Sequence, residues 1–336
     1  MNRLINFCFV LCIFLSSCSS LSTGANPSMT ATISNQATST PPSTSALLPT
    51  PTLPLVPYVP LTSLPEGIYY AYSELYSDDR SYLAVMTADG DFLGYLGQTS
   101  GTAVSISPNL EYLLDFPTIQ SLITGEQVYY EGTSILGVPS WAPNSTQIVA
   151  QCPMPDLEGP NTGLCLFSLQ DGSTRLITNN PYPKNCFAPS WSPNGLWIAY
   201  WGYEDRSGLS NYTGMHLLNT SCFSSQNDCW RDDPAIDLQS PYTWSPDGSQ
   251  VAGIYNRFEN GDYVFDVRVY DINRDGVPSL SEKYSIGEQI LDISWLPDGE
   301  RMAVWSDRGS YLLTLSTGEL NFLFLPRYGQ WFSVPR

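Results

Sequence analysis

Tyr242-Thr-Trp-Ser-Pro-Asp-Gly-Ser-Gln-Val-Ala-Gly253 sets the architecture of the chain, because its pattern recurs. Pro139-Ser-Trp-Ala-Pro-Asn-Ser-Thr-Gln-Ile-Val-Ala150, Pro189-Ser-Trp-Ser-Pro-Asn-Gly-Leu-Trp-Ile-Ala-Tyr200 and Ile293-Ser-Trp-Leu-Pro-Asp-Gly-Glu-Arg-Met-Ala-Val304 align with it position for position. A fifth copy, Val104-Ser-Ile-Ser-Pro-Asn-Leu-Glu-Tyr-Leu-Leu114, has Ile106 where the others have tryptophan. The marker residues at 106, 141, 191, 244 and 295 are 35, 50, 53 and 51 residues apart, a period that belongs to repeat architectures.

Each copy has the same physical logic. A short strand ends in a side chain large enough to fill the gap between neighbouring sheets. Proline presets the first turn position, Asp or Asn bonds its own backbone, and glycine takes the positive-φ site. A second strand rich in Ile, Val, Ala and Tyr follows. Two more strands complete the unit, joined by turns such as Ala88-Asp89-Gly90, Gln170-Asp171-Gly172 and Ser316-Thr317-Gly318. Four strands per repeat of this length describe a propeller blade.

The chain ends supply the remaining strands. Ile68–Tyr72, Tyr82–Met86 and Phe92–Tyr95 read as strands that lack an innermost partner, and Trp331–Pro335 reads as a strand with nothing after it. The C-terminal segment is therefore expected to enter the first blade as its innermost strand, which closes the ring and removes open edges. The predicted fold is all-β, a six-bladed β-propeller of four-stranded antiparallel blades over residues 66–336.

The repeated segments resemble the W-S-P-D-G repeats of TolB-type, WD-like β-propellers over residues 66–336. The resemblance implies the fold and a scaffold or recognition role at a cell envelope. It implies no activity, since Trp141, Trp191, Trp244 and Trp295 serve packing and turns.

The N-terminus resembles a bacterial lipoprotein signal. Asn2 and Arg3 precede an apolar run from Leu4 to Leu15, and Leu15-Ser16-Ser17-Cys18 follows the lipobox pattern. The run is shorter than the ~20 residues that span a bilayer. Residues 1–17 are expected to be a signal peptide and Cys18 the site of lipid attachment, with acylation such as palmitate. Residues 18–65 are expected to be a disordered tether: they are rich in Ser, Thr and Pro and have no charged side chain. As a flexible coil such a tether averages ~35–40 Å end to end. The expected place is outside the cytoplasm, tethered to the cell membrane or an outer membrane through the lipid alone.

The chain has 14 basic and 32 acidic residues, a formal net charge of −18. Such a surface repels phosphate backbones, which excludes nucleic acid as a partner class. Cations, basic proteins and neutral glycans remain, alongside charge that simply keeps the chain soluble. An envelope protein or a glycan is the expected partner, and a monomer the expected state.

Beyond the signal and Cys18, five cysteines remain in a compartment that oxidises thiols. Cys222–Cys229, around a turn-rich loop, and Cys152–Cys165, at the ends of a hairpin, are the expected disulfides, which leaves Cys186 over. None has CxxC spacing or a nearby histidine, so a zinc site is not expected.

A Ser-His-Asp triad fails on inventory, because His216, the one histidine of the chain, lies in a run that reads as a buried strand. No G-x-S-x-G elbow, Walker loop or H-E-x-x-H occurs. Asp271-Ile-Asn273-Arg-Asp275-Gly276 with Glu282 matches D-x-[DN]-x-[DN]-G-x5-E. Asp271, Asn273, Asp275 and Glu282 would offer side-chain oxygens and Val277 its carbonyl to a structural Ca2+. An acidic hairpin turn is the other reading, since the preceding run alternates as a strand. Tyr182, Trp201, Tyr203, Tyr255 and Phe258 lie on or beside long loops of one face and are the candidate partner-binding residues. The function expected is non-catalytic binding of a protein or glycan. The rival is an extracellular carbohydrate-active hydrolase or lyase that uses acidic residues of the central channel.

Overall fold

The computed structural model describes residues 58–75, 81–99, 105–115, 118–129, 136–153, 162–178, 185–204, 212–224, 236–327 and 329–335. They belong to the unit Pro54–Arg336. The expected signal peptide, Cys18 and most of the expected tether lie outside the described residues.

Six blades form a ring. From inside outward the first orders Gly329–Val334, Gly67–Leu75, Ser81–Thr87 and Phe92–Thr99. The second is Ser105–Ile106, Tyr112–Asp115, Thr118–Ser121 and Gln127–Tyr129. The third is Leu136–Trp141, Gln147–Pro153, Thr162–Ser168 and Thr174–Leu176. The fourth is Asn185–Trp191, Trp197–Glu204 and Tyr212–Asn219, with a bridge from Met215 to Ile236 at the outer position. The fifth is Gln239–Trp244, Gln250–Glu259, Asp262–Ile272 and Pro278–Ser285, and the sixth Ile290–Trp295, Arg301–Ser306, Ser310–Thr314 and Glu319–Phe322. The expected closure is present: Gly329–Val334 runs antiparallel to Gly67–Leu75, with Tyr69 opposite Phe332 and Tyr70 opposite Trp331.

The repeated turn folds for the reasons its residue types suggest. In the fourth, fifth and sixth blades, Gly195, Gly248 and Gly299 have φ of 77°, 69° and 75°. Their N–H groups donate to the carbonyls of Ser192, Ser245 and Leu296 at 2.8, 2.8 and 3.1 Å. The preceding Asn194, Asp247 and Asp298 accept the next backbone N–H but one through Oδ1. Bonds from the Ser245 hydroxyl and the Ser249 N–H hold the Asp247 carboxyl below its usual range.

The core is divided among the interfaces between blades. Six buried apolar clusters fill six gaps, and each joins one blade to the next. The markers stitch these gaps: the indole N–H of Trp141 donates to the Ser105 carbonyl at 3.2 Å, and that of Trp244 to the Ser190 carbonyl at 3.1 Å. A tryptophan in such a gap contributes ~3–5 kcal/mol. At the closure, Tyr70 is fully buried against Trp331 (4.8 Å between rings) and Trp305 (5.9 Å). Its hydroxyl donates to the Pro326 carbonyl at 2.7 Å and accepts the Gly329 N–H at 2.8 Å.

The packed domain begins before Glu66. Tyr58 bridges Tyr95 on the outer strand of the first blade, Leu61–Ser63 form a 3-10 turn, and Leu64 is buried in the cluster between the first two blades. The sequence set this boundary late, because prolines and uncharged residues dominate both the tether and this packed stretch.

Candidate partner-binding face

The two faces of the ring differ in chemistry. On the turn face, the mouth of the channel is a cavity of about 430 Å3 ringed by Ile106, Trp141, Trp191, Trp244, Trp295 and Trp331, one from each blade. Prolines of the repeated turns complete the wall, and among the described residues no ionisable side chain lines it.

On the opposite face, the hairpin Gln250–Glu259/Asp262–Ile272 of the fifth blade is the longest among the described residues and ends in Asn260 and Gly261, both at positive φ. Phe258 at its tip is 67% exposed, and it meets the half-exposed Tyr263 edge-on at 5.2 Å. Trp201 is partly buried beside Phe187 at 5.8 Å. Tyr255 is partly buried, and the Arg268 guanidinium covers its ring at 3.2 Å. Tyr203 faces Asn185 in the strand register, and Tyr182 lies outside the described residues. Of the three candidates whose side chains are described, Phe258 projects, whereas Trp201 and Tyr255 serve the interface between the fourth and fifth blades.

Charge on this face is organised about two carboxylates, one fully buried and one part-buried. Asp266 is fully buried; it accepts from Arg257 at 2.6 Å and Ser285 at 2.7 Å and lies 3.3 Å from the Lys283 ammonium. Burial pushes its carboxyl up, but the bonds from Ser285, Lys283 and Arg257 outweigh this and hold it below the usual range. Asp292, on the innermost strand of the sixth blade, behaves oppositely: burial raises it to about 6 against the pull of Arg327, 3.8 Å away. The raised carboxyl therefore has a guanidinium beside it and the Ile293 N–H on it, not a second carboxylate of the kind glycan hydrolysis uses.

The acidic loop is a hairpin turn. The Asn273 Oδ1 accepts the N–H groups of Asp275 and Val277 at 2.9 and 2.8 Å, and Asp271 accepts from Gln250 at 2.7 Å. Glu282 lies further along the partner strand, opposite Val269. Among the described residues no three acidic, histidine or cysteine side chains gather as a metal site. As placed, the Asn273 Oδ1 serves the turn and the Asp271 Oδ1 a cross-strand bond.

Cys152 and Cys165 are joined by a disulfide. Cys222 is disulfide-bonded, while Cys229 lies outside the described residues. Cys186 keeps a buried thiol that burial pushes up to about 12. His216 lies within Tyr212–Asn219, as its apolar surroundings imply, stacked on Tyr200 at 5.4 Å. Its Nε2 is buried without a hydrogen bond, and burial lowers it to about 4.

No protein-family model matches the chain, and no curated protein sequence matches it. Solved structures do. TolB from Acinetobacter baumannii is similar with a TM-score of 0.53 and 16% identity, over 79% of this chain and 66% of that one. The tricorn protease is similar with a TM-score of 0.45 and 12% identity, over 79% of this chain and 31% of that one. The β-propeller domain of the Trilobed protease from Pyrococcus furiosus gives 0.41 and 14%, over 76% and 72%. At 16% identity the likeness to TolB concerns fold alone: the domain is a six-bladed β-propeller. Among the described residues no helix is long and apolar enough to cross a membrane.

Proposed function

We propose that this chain is an extracytoplasmic lipoprotein, anchored through Cys18, whose propeller binds a protein or glycan partner on its loop-bearing face without catalysing a reaction. The observation that carries this reading is the projecting tip of the fifth blade. Phe258 and Tyr263 are held on a rigid hairpin in water, and they are residue types that anchor interfaces. The tether leaves the domain free to meet partners away from the lipid surface. The turn-face channel is walled by tryptophan and proline, and among the described residues it holds no acid or base.

The test has two arms. Mass spectrometry of the mature N-terminus is expected to find acylated Cys18. Capture from envelope extract on the immobilised full chain is expected to yield a partner that Phe258→Ser loses and Phe322→Ser, on the outer edge of the sixth blade, retains. Equal capture by both variants would remove the hairpin tip from the binding site.

A further inference from the structure

Arg268 is an oddity in a chain with a net charge of −18. It is half-buried, its Nε is enclosed without a hydrogen-bond partner, and its recorded interaction is with the ring of Tyr255. Its cross-strand neighbour on the same face is Lys283, so two cations stand directly opposite each other. Like charges in that position destabilise a sheet. Asp266, two residues away along the strand, is a nearby carboxylate among the described residues, and its oxygens are taken by Arg257, Lys283 and Ser285. A stacked guanidinium recovers only ~0.5–2 kcal/mol from the ring beneath it.

We propose that Arg268, flanked by Lys283, is a carboxylate-binding site on the fifth blade, and that it takes an acidic residue of a partner polypeptide. The inference rests on the binding function proposed above and names the chemistry of the partner. Tyr255 fixes the plane of the guanidinium and leaves its edge, which reads a planar carboxylate through two parallel N–H bonds. The Lys283 ammonium adds charge without that geometry.

A peptide fits better than a sugar for a geometric reason. Sugar recognition uses open aromatic faces, and beside Arg268 those faces are taken: Tyr255 lies under the guanidinium and Trp201 beside Phe187. What remains beside them is one charged fork, suited to an acidic side chain.

Isothermal titration of the full chain with hexaglutamate, hexaglutamine and trigalacturonate at 150 mM salt tests this. Hexaglutamate is expected to bind and hexaglutamine not. Arg268→Gln should weaken hexaglutamate at least tenfold, and Lys283→Gln, at an exposed position, two- to fivefold. If Arg268→Gln does not fold, Arg268→Lys, which keeps the charge and loses the fork, should still weaken binding at least threefold. Equal affinity in wild type and the arginine variants, no binding of hexaglutamate, or Arg268-dependent binding of trigalacturonate alone would each overturn the proposal. The binding function fails separately, through partner capture that is indifferent to Phe258→Ser.

Discussion

Gln330 holds Ile106 by both of its backbone groups: its Oε1 accepts the Ile106 N–H at 2.6 Å, and its Nε2 donates to the Ile106 carbonyl at 3.0 Å. The innermost strand of the second blade is two residues long, and Ile106 is the marker that is not a tryptophan. A side chain from the closing strand thus supplies ladder bonds that so short a strand cannot make for itself. Gln330→Ala leaves two part-buried backbone groups unpaired, at a cost of ~1–3 kcal/mol each at most. Thermal unfolding is expected to show a fall of several degrees, and Gln330→Glu, which keeps the acceptor and loses the donor, a smaller one. An unchanged melting temperature in Gln330→Ala would deny the clasp a role.

Packing at the interface between the fourth and fifth blades is tight enough to register a single methyl group. A Cβ on Gly253 would come within 2.7 Å of the Leu238 Cδ1, while one on Gly97 meets nothing within 4 Å. Gly253→Ala should therefore cost ~1–3 kcal/mol and Gly97→Ala close to nothing, as read by urea denaturation. Equal effects would show that the gap at Leu238 relaxes.

A buried histidine and a part-buried carboxylate give opposing pH dependences. His216 is lowered from 6.5 to about 4, so the unfolded chain takes the proton first, and stability drains away as pH falls between those values. Asp292 is raised from 3.8 to about 6, so the folded chain takes the proton first, and stability grows as pH falls through 6. Each contributes roughly 3 kcal/mol over its window, with opposite sign. Between pH 4 and 6.5 their effects nearly cancel. Asp292→Asn is expected to melt progressively lower on acidification across that window, and His216→Phe progressively higher. Parallel curves for wild type and both variants would refute the assignment.

The acidic hairpin turn of the fifth blade is expected to depend on Asn273 rather than on a metal. Asn273→Ala removes an acceptor for two N–H groups and should cost ~1 kcal/mol. The loss should be the same in calcium and in chelator. A loss seen in calcium alone would assign Asp271, Asn273, Asp275 and Glu282 to an ion after all.

The fold is legible in the chain because turn chemistry is local. Ser-Pro-Asp-Gly determines its own φ angles and hydrogen bonds, and a tryptophan before it announces a gap to fill. The same locality let Trp331-Phe-Ser-Val be read as a strand without a blade. Ile106 hid less well than Gln330: the first keeps its Pro108-Asn109 turn, whereas nothing in Gly329-Gln-Trp marks a side chain that reaches the next blade. The outer position of the fourth blade, one bridge at Ile236, has no strand pattern to betray it. The face opposite the turns was legible as a location but not as a site. Arg268 and Lys283 are fifteen residues apart in the chain and become neighbours only through the register of two strands, which the bulge between Val269 and Tyr270 shifts. The unusual state of Asp292 likewise arises from burial at the closure, where Arg327 arrives from the far end of the last blade.

The ring stands or falls on the pairing of its two ends, in which Ile68 faces Ser333. Cysteines placed at these two positions of the full chain, under mild oxidant, are expected to form an intramolecular disulfide that mass spectrometry finds between peptides from opposite ends of the domain. Free thiols at both positions, or cross-links between molecules in their place, would contradict closure by the C-terminal strand.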